Sequence, residues 1–187
     1  MTRDEALQLV NDWTKNQNLV KHMLCVEAEM RALAKHFGED EDLWGLTGLL
    51  HDADYEMFKE DPKNHPSKIF EELESRNVDK RIIDAIKAHA WGHSHISKEP
   101  ENNMEWSIYT CDELSGFIVA CALVTPNKKL SEVTVEKMKK KWKEKSFAAG
   151  VIRANTEVCE EKLGIKLDDF MQICLTAIQA IASQLGL

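Results

Sequence analysis

Apolar residues recur along this chain at helical spacing and almost nowhere in alternation. Leu9, Val10 and Trp13 follow Thr2-Arg3-Asp4-Glu5, where Thr2 and Glu5 predict a capping box. Leu19, Val26, Met30 and Leu33 define a second helix that Gly38 should end. A third is predicted from about Asp42 to Asp52, and Pro62 breaks the chain after it. His65-Pro66 opens a short helix carrying Ile69, Phe70 and Leu73. Asp79 is placed to cap the next, with Ile82, Ile83, Ile86 and His89 on its apolar side.

The stretch from Gly92 to Asn103 is polar and reads as a loop, whereas Asn103 to Val124 reads as a long, largely buried helix closed by Pro126-Asn127. Thr134, Ser146 and Asp168 are expected to open three further helices, with Gly164 ending one. No convincing period-2 run, internal repeat or Gly/Ser/Pro-rich linker interrupts this pattern. The expectation is one all-α domain of eight or nine helices, spanning 1–187. Its core would be residues 19–124, with a helical extension over about 130–187.

Composition narrows the function. With 187 residues, 43% of them hydrophobic, the chain can bury a full core without disulfides or structural metal. A metal, if bound, would therefore serve function. Phe117 to Val124 is the longest apolar run, far short of the ~20 residues that cross a bilayer. The N-terminus lacks the apolar stretch of a signal peptide. Cys25, Cys111, Cys121, Cys159 and Cys174 form no Cys-x-x-Cys and are odd in number. Free thiols in a reducing cytoplasm are expected.

A net charge of −8 argues against general nucleic-acid binding. The charge is uneven: residues 39–61 are rich in Asp and Glu, and residues 126–147 are rich in lysine. Most such runs are solvated faces. The alternative is that the lysines attract an anionic substrate.

The placement of histidines carries the chemistry. His22 shares a helical stripe with Val26 and Leu33, and His89 lies on the apolar side of Ile82 and Ile86. His51-Asp52 ends an apolar helix, in which Gly45 and Gly48 are expected to leave open space on the face of Asp52. Asp112 is a carboxylate in an otherwise apolar segment, with Gly116 one turn later. Each residue alone has an ordinary explanation as a satisfied core polar group. Together, inward imidazoles and two inward carboxylates on separate helices need a cation to compensate them. The donor mix suits manganese, iron, cobalt, nickel or zinc, and magnesium is compatible.

His22, His51-Asp52 within Leu-Leu-His-Asp, and Asp112 within Cys-Asp-Glu-Leu resemble the signature of the HD superfamily of metal-dependent phosphohydrolases. The resemblance covers about residues 19–124 and implies an all-helical fold. His65 and His89 match further histidines of the two-metal members. His51-Asp52-Ala53-Asp54-Tyr55-Glu56 is most similar to a group of bacterial predicted hydrolases. The resemblance implies one ion held by His22, His51, Asp52 and Asp112, and a second held by His65 and His89, with Asp52 bridging. A metal-activated water would be the nucleophile. Tyr55 stands where relatives that cleave cyclic dinucleotides have lysine, so their substrate is not expected to transfer.

No serine-hydrolase, phosphate-loop, dinucleotide or zincin motif is present. The expected substrate is a small phosphate ester, including nucleotides. Lys68, Lys128, Lys129 and Arg153, with the Lys139–Lys143 stretch, are candidate phosphate contacts. His93 and His95 lie in a polar loop that could cover the site, supply acid or base, or stand in as ligands. Two other readings stay open: a di-iron oxygenase of the same fold, and a non-catalytic nucleotide-binding module.

Overall fold

The computed structural model describes residues 1–187 and is all-α. The helices are α1 (Arg3–Trp13), α2 (Gln17–Phe37), α3 (Glu41–Leu50), α4 (Ser67–Ser75), α5 (Lys80–His89), α6 (Asn103–Leu123), α7 (Val135–Trp142), α8 (Arg153–Glu157) with its one-turn continuation α9 (Cys159–Lys162), α10 (Leu167–Ala180) and the one-turn α11 (Ala182–Leu185). The Thr2/Glu5 capping box forms as expected, and Gly38 ends α2 in the left-handed region at φ 71°.

Forty-four buried residues make one continuous hydrophobic cluster, contributed by elements from α1 to α11. The middle of this cluster is α6, apolar on nearly all sides because α2, α5, α8 and α10 surround it. Its buried side chains include Phe117, Ile118 and Leu114. α3 lies closest to α2.

Three local expectations change. Gly45 and Gly48 leave no open space. A Cβ on Gly48 would come within 2.6 Å of the Val26 carbonyl oxygen, and one on Gly45 within 2.6 Å of the Arg31 Nε. The glycines serve the close approach of α3 to α2. Ser146 opens no helix. Ala148 takes a positive φ of 45°, and the carbonyls of Trp142, Glu144, Phe147 and Val151 turn toward the Arg153 guanidinium instead of forming a helical ladder. Helix α10 begins at Leu167, so Asp168 sits in its first turn beside the helix dipole rather than capping it.

One buried group stands out. Glu29 of α2 is fully buried, and neither carboxylate oxygen has a hydrogen-bond partner. Burial, with the nearby Asp112 charge, pushes its carboxyl well above the ordinary glutamate value of 4.5. Above pH 4.5 the folded chain therefore holds a proton that the unfolded chain releases, so this group lowers stability as pH rises. Glu29→Met, which keeps a linear side chain without the polar group, is expected to stabilise by about 1–3 kcal/mol. The gain should grow from pH 5 to pH 8. Thermal melts of both proteins across that range check it, and a variant less stable than wild type at pH 8 would contradict it.

Candidate metal centre

The site is assembled from the ends and middles of four helices and one loop. α2 supplies His22, the end of α3 supplies His51 and Asp52, the turn before α4 supplies His65, the last residue of α5 is His89, and the middle of α6 supplies Asp112. These six sequence-derived candidates come together in two groups. His22, His51 and Asp112 form one; Asp52, His65 and His89 form the other.

Asp52 stands between them. Its Oδ1 lies 3.0 Å from His65 Nε2 and 3.5 Å from His89 Nε2, while its Oδ2 lies 3.6 Å from His51 Nε2 and 3.7 Å from His22 Nε2. Asp112 Oδ1 is 3.0 Å from His22 Nε2 and 3.4 Å from His51 Nε2.

The ring orientations are set from behind. His51 Nδ1 donates to the Gly48 carbonyl at 2.8 Å, and His89 Nδ1 donates to the Ile86 carbonyl at 2.5 Å. His65 Nδ1 donates to Asp54 Oδ1 at 2.6 Å, and His22 Nδ1 meets the Ser115 hydroxyl at 2.9 Å. Carbonyl and carboxylate oxygens only accept, so for three of the four rings the Nδ1 side carries the proton. A neutral ring then presents an Nε2 lone pair to the interior. His65 Nε2 and His89 Nε2 face each other at 3.2 Å, as do His22 Nε2 and His51 Nε2. Facing lone pairs at that distance repel unless a positive charge lies among them.

The electrostatics make the same demand. Burial disfavours the charged form of His51, but the Asp52 and Asp112 carboxylates outweigh it and raise its pKa to about 9. His65 is likewise raised to about 9, by Asp52 and Asp54 against burial. Burial opposes ionisation of Asp52, yet His51, His65 and His89 hold its carboxyl well below the ordinary range. Asp112 is depressed against burial by His51 and His22. The carboxylates thus recruit positive charge into a pocket of imidazoles, which is charge that a divalent cation supplies when the rings are neutral. These residues fit an imidazole–carboxylate metal site.

The rest of the His51–Glu56 segment supports these side chains. Ala53 accepts from the buried Thr14 hydroxyl at 3.2 Å. Asp54, fully buried, also accepts the Ile69 N–H at 2.9 Å, tying α4 to His65. Tyr55 meets the His65 ring edge-on at 5.3 Å between centroids. Glu56 accepts the N–H groups of Lys15 and Asn16 at 2.7 and 3.0 Å, fastening the α1–α2 connection. Asp54 is the supporting carboxylate to which sequence reasoning assigned no role of its own; its signal was its place in the His51–Glu56 motif.

The profile of the HD domain family matches residues 19–116. The chain belongs to the HD domain family. That match runs from α2 into α6 and contains all six clustered residues. The HD domain family generally comprises metal-dependent phosphohydrolases, with some non-catalytic members, and its fold implies divalent-metal binding. Comparisons with curated proteins and with solved structures return no match.

In front of the HD-domain cluster lies a cavity of about 700 Å³. Its mouth carries Tyr55, Lys63, His93, Ser94 and Asn155. The four candidate phosphate contacts are not among its lining residues. Lys68 pairs with Glu71 on the outer face of α4. Lys128 and Lys129 lie in the loop after α6, beyond its C-terminal end. Arg153 spends its guanidinium on four backbone carbonyls and on the faces of Phe117 and Trp142. The Lys139–Lys143 stretch also lies away from the cavity: Lys139 pairs with Asp168 and Lys141 with Glu144, and Trp142 is a packing residue. His93 lines the cavity, His95 does not, and neither belongs to the two groups. Tertiary packing, not charge density along the chain, decides which cation faces the cavity. No helix is long and apolar enough to cross a membrane.

Proposed function

We propose that this chain is a metal-dependent phosphohydrolase that cleaves a small phosphate ester, with nucleotides within the substrate class. The observation that carries the reading is Asp52, whose two oxygens face separate imidazole groups beside an open cavity. His22, His51, Asp52 and Asp112 would hold one divalent ion, and Asp52, His65 and His89 a second. A bound divalent transition metal supplies a water acidified to a near-neutral pKa and a Lewis acid for the phosphoryl oxygens.

The chain's own residues supply the remainder. Gly48, Ile86, Asp54 and Ser115 hold the four rings so that Nε2 points inward. Lys63 forms no ion pair and lies on the cavity wall with His93, so these two would take the place first given to Lys68, Lys128, Lys129 and Arg153 as contacts to the phosphate.

The test uses full-length protein, stripped with chelator and reloaded separately with Mn, Co, Ni, Fe, Zn or Mg. Release of inorganic phosphate from p-nitrophenyl phosphate and a nucleoside phosphate panel is measured. Hydrolysis restored by metal is the expected result. Undiminished hydrolysis by protein shown to be metal-free overturns the reading. Consumption of O₂ by the iron form without phosphate release would replace it with the oxygenase reading.

A further inference from the structure

Gly116 lies in the interior of α6, where glycine costs roughly 0.5–1 kcal/mol relative to alanine. No packing reason accounts for it. A Cβ there would meet nothing within 4 Å, unlike Gly45 and Gly48, which allow two helices to touch. Its backbone is ordinary helix, and the residue is exposed.

Gly116 borders two hollows. Gly116 and His22 line the metal-facing cavity, and both also line a second hollow of about 330 Å³ between α2, α6 and the segment around α11. Asp112, Gly116, Val119 and Leu123 follow one another at spacings of four, three and four residues, so they form a single stripe along α6. At 1.5 Å per residue, the stripe runs about 16 Å away from the carboxylate. It passes from a metal-facing acid, across a position with no side chain, to two apolar residues. Leu185 and Leu187 form the opposite wall, which Lys21 steadies by donating from Nζ to the Leu185 carbonyl at 2.7 Å. No Asp or Glu side chain lines this second hollow, and Leu123 is 49% exposed at its outer end.

We propose that the substrate is an amphipathic phosphate ester, whose aliphatic part crosses Gly116 and lies along Val119, Leu123, Leu185 and Leu187. This rests on the phosphohydrolase reading and specifies its substrate class. The phosphate faces the metal centre and the chain fills the apolar hollow. In the reaction, the oxygen of water bonds to phosphorus and the ester P–O bond breaks. The aliphatic alcohol leaves with a proton, and inorganic phosphate remains.

The experiment compares methyl, butyl, hexyl and octyl phosphate, each below its aggregation concentration, as substrates of the metal-loaded full chain. In parallel, methylphosphonate and octylphosphonate, which cannot be hydrolysed, are titrated into the same protein by calorimetry. kcat/KM is expected to rise about twofold per methylene from butyl to octyl, less than the roughly fourfold of full burial because the hollow is partly open. Octylphosphonate should bind at least about tenfold tighter than methylphosphonate, a smaller gain than full burial of its chain would give. Gly116→Phe, which fills the passage, and Leu123→Glu, which charges its far end, should each reduce both octyl-to-methyl ratios about tenfold.

Flat phosphonate affinity in wild type overturns the proposal whether or not any ester is cleaved. Flat kcat/KM together with hydrolysis of methyl phosphate overturns it and leaves the phosphohydrolase reading standing. A chain-length preference unchanged in both variants overturns it by placing the aliphatic part elsewhere. Tight octylphosphonate binding that both variants weaken, without hydrolysis of any ester, would support the hollow and count against the hydrolase.

Discussion

Asp52→Ala is expected to remove most bound metal and to lower kcat/KM on any phosphate ester by at least about a thousandfold. Asp52 is the carboxylate whose oxygens reach both imidazole groups, 3.0 Å from His65 and 3.6 Å from His51. Its loss withdraws one donor from each ion and leaves no carboxylate between the two imidazole groups, only Asp112 beside one and Asp54 behind the other. His22→Ala or Asp112→Ala should mainly empty the first position. His65→Ala or His89→Ala should mainly empty the second, leaving about one ion per chain and much slower turnover. Asp54→Asn should act more gently. It keeps the volume but cannot hold His65 as a carboxylate does, and such outer partners contribute about 10–100-fold in metal affinity. The fold should survive each change, because the 44-residue apolar core does not depend on the metal. Elemental analysis, steady-state kinetics and melting temperatures of the six variants decide the matter. Wild-type metal content and rate in both His65→Ala and His89→Ala would eliminate the second position and leave a one-metal centre.

Gly48→Ala is expected to destabilise the fold by about 3 kcal/mol, at the upper end for overpacking. The added Cβ would come within 2.6 Å of the Val26 carbonyl oxygen, 2.7 Å of its carbon and 2.8 Å of the Glu27 nitrogen. All three are backbone atoms of α2, so no side chain can turn aside and the helices must separate. For a chain of this length that corresponds to a melting temperature lower by roughly 6–12 °C. Separation of α3 from α2 also moves His51, whose ring is held by the Gly48 carbonyl, so metal content should fall as well. Gly116→Ala is the internal contrast: its Cβ meets nothing, and it should raise stability slightly. Calorimetric melting of the two alanine variants beside wild type provides the measurement. Equal melting temperatures for Gly48→Ala and wild type would show that α3 does not need the close contact.

Much of this architecture is written locally. Thr2 with Glu5, and Gly38, mark helix ends because capping depends on side chains within three or four residues of the terminus. The apolar periodicity around Val26, Ile86 and Leu114 marks the buried faces, since burial repeats with the helical turn. His22, His89 and Asp112 could be picked out because polar residues on apolar faces violate that pattern. The two imidazole–carboxylate groups are therefore legible in part as a set of exceptions, and the resemblance of their order to the HD signature placed His65 among them.

Long-range packing decides the rest. Charge density directed attention to Lys68, Lys128, Lys129 and Arg153, yet none lines the cavity, because the direction of a surface lysine depends on neighbours far along the chain. Arg153 is the clearest case: its guanidinium organises the 142–153 loop, taking among others the Phe147 and Val151 carbonyls that a helix from Ser146 would have used. Gly45, Gly48 and Gly116 have the same composition and opposite surroundings, a difference that exists only once α2, α3 and α6 are docked. The chain by itself determined most of its helices and its buried faces through spacing within a few turns, and the identities of six converging polar residues through that spacing together with the order of the HD signature. Only the tertiary structure decided which oxygen of Asp52 faces which group, that Asp54 holds His65, and which residues wall the cavity, because those are contacts between segments that sequence spacing does not relate.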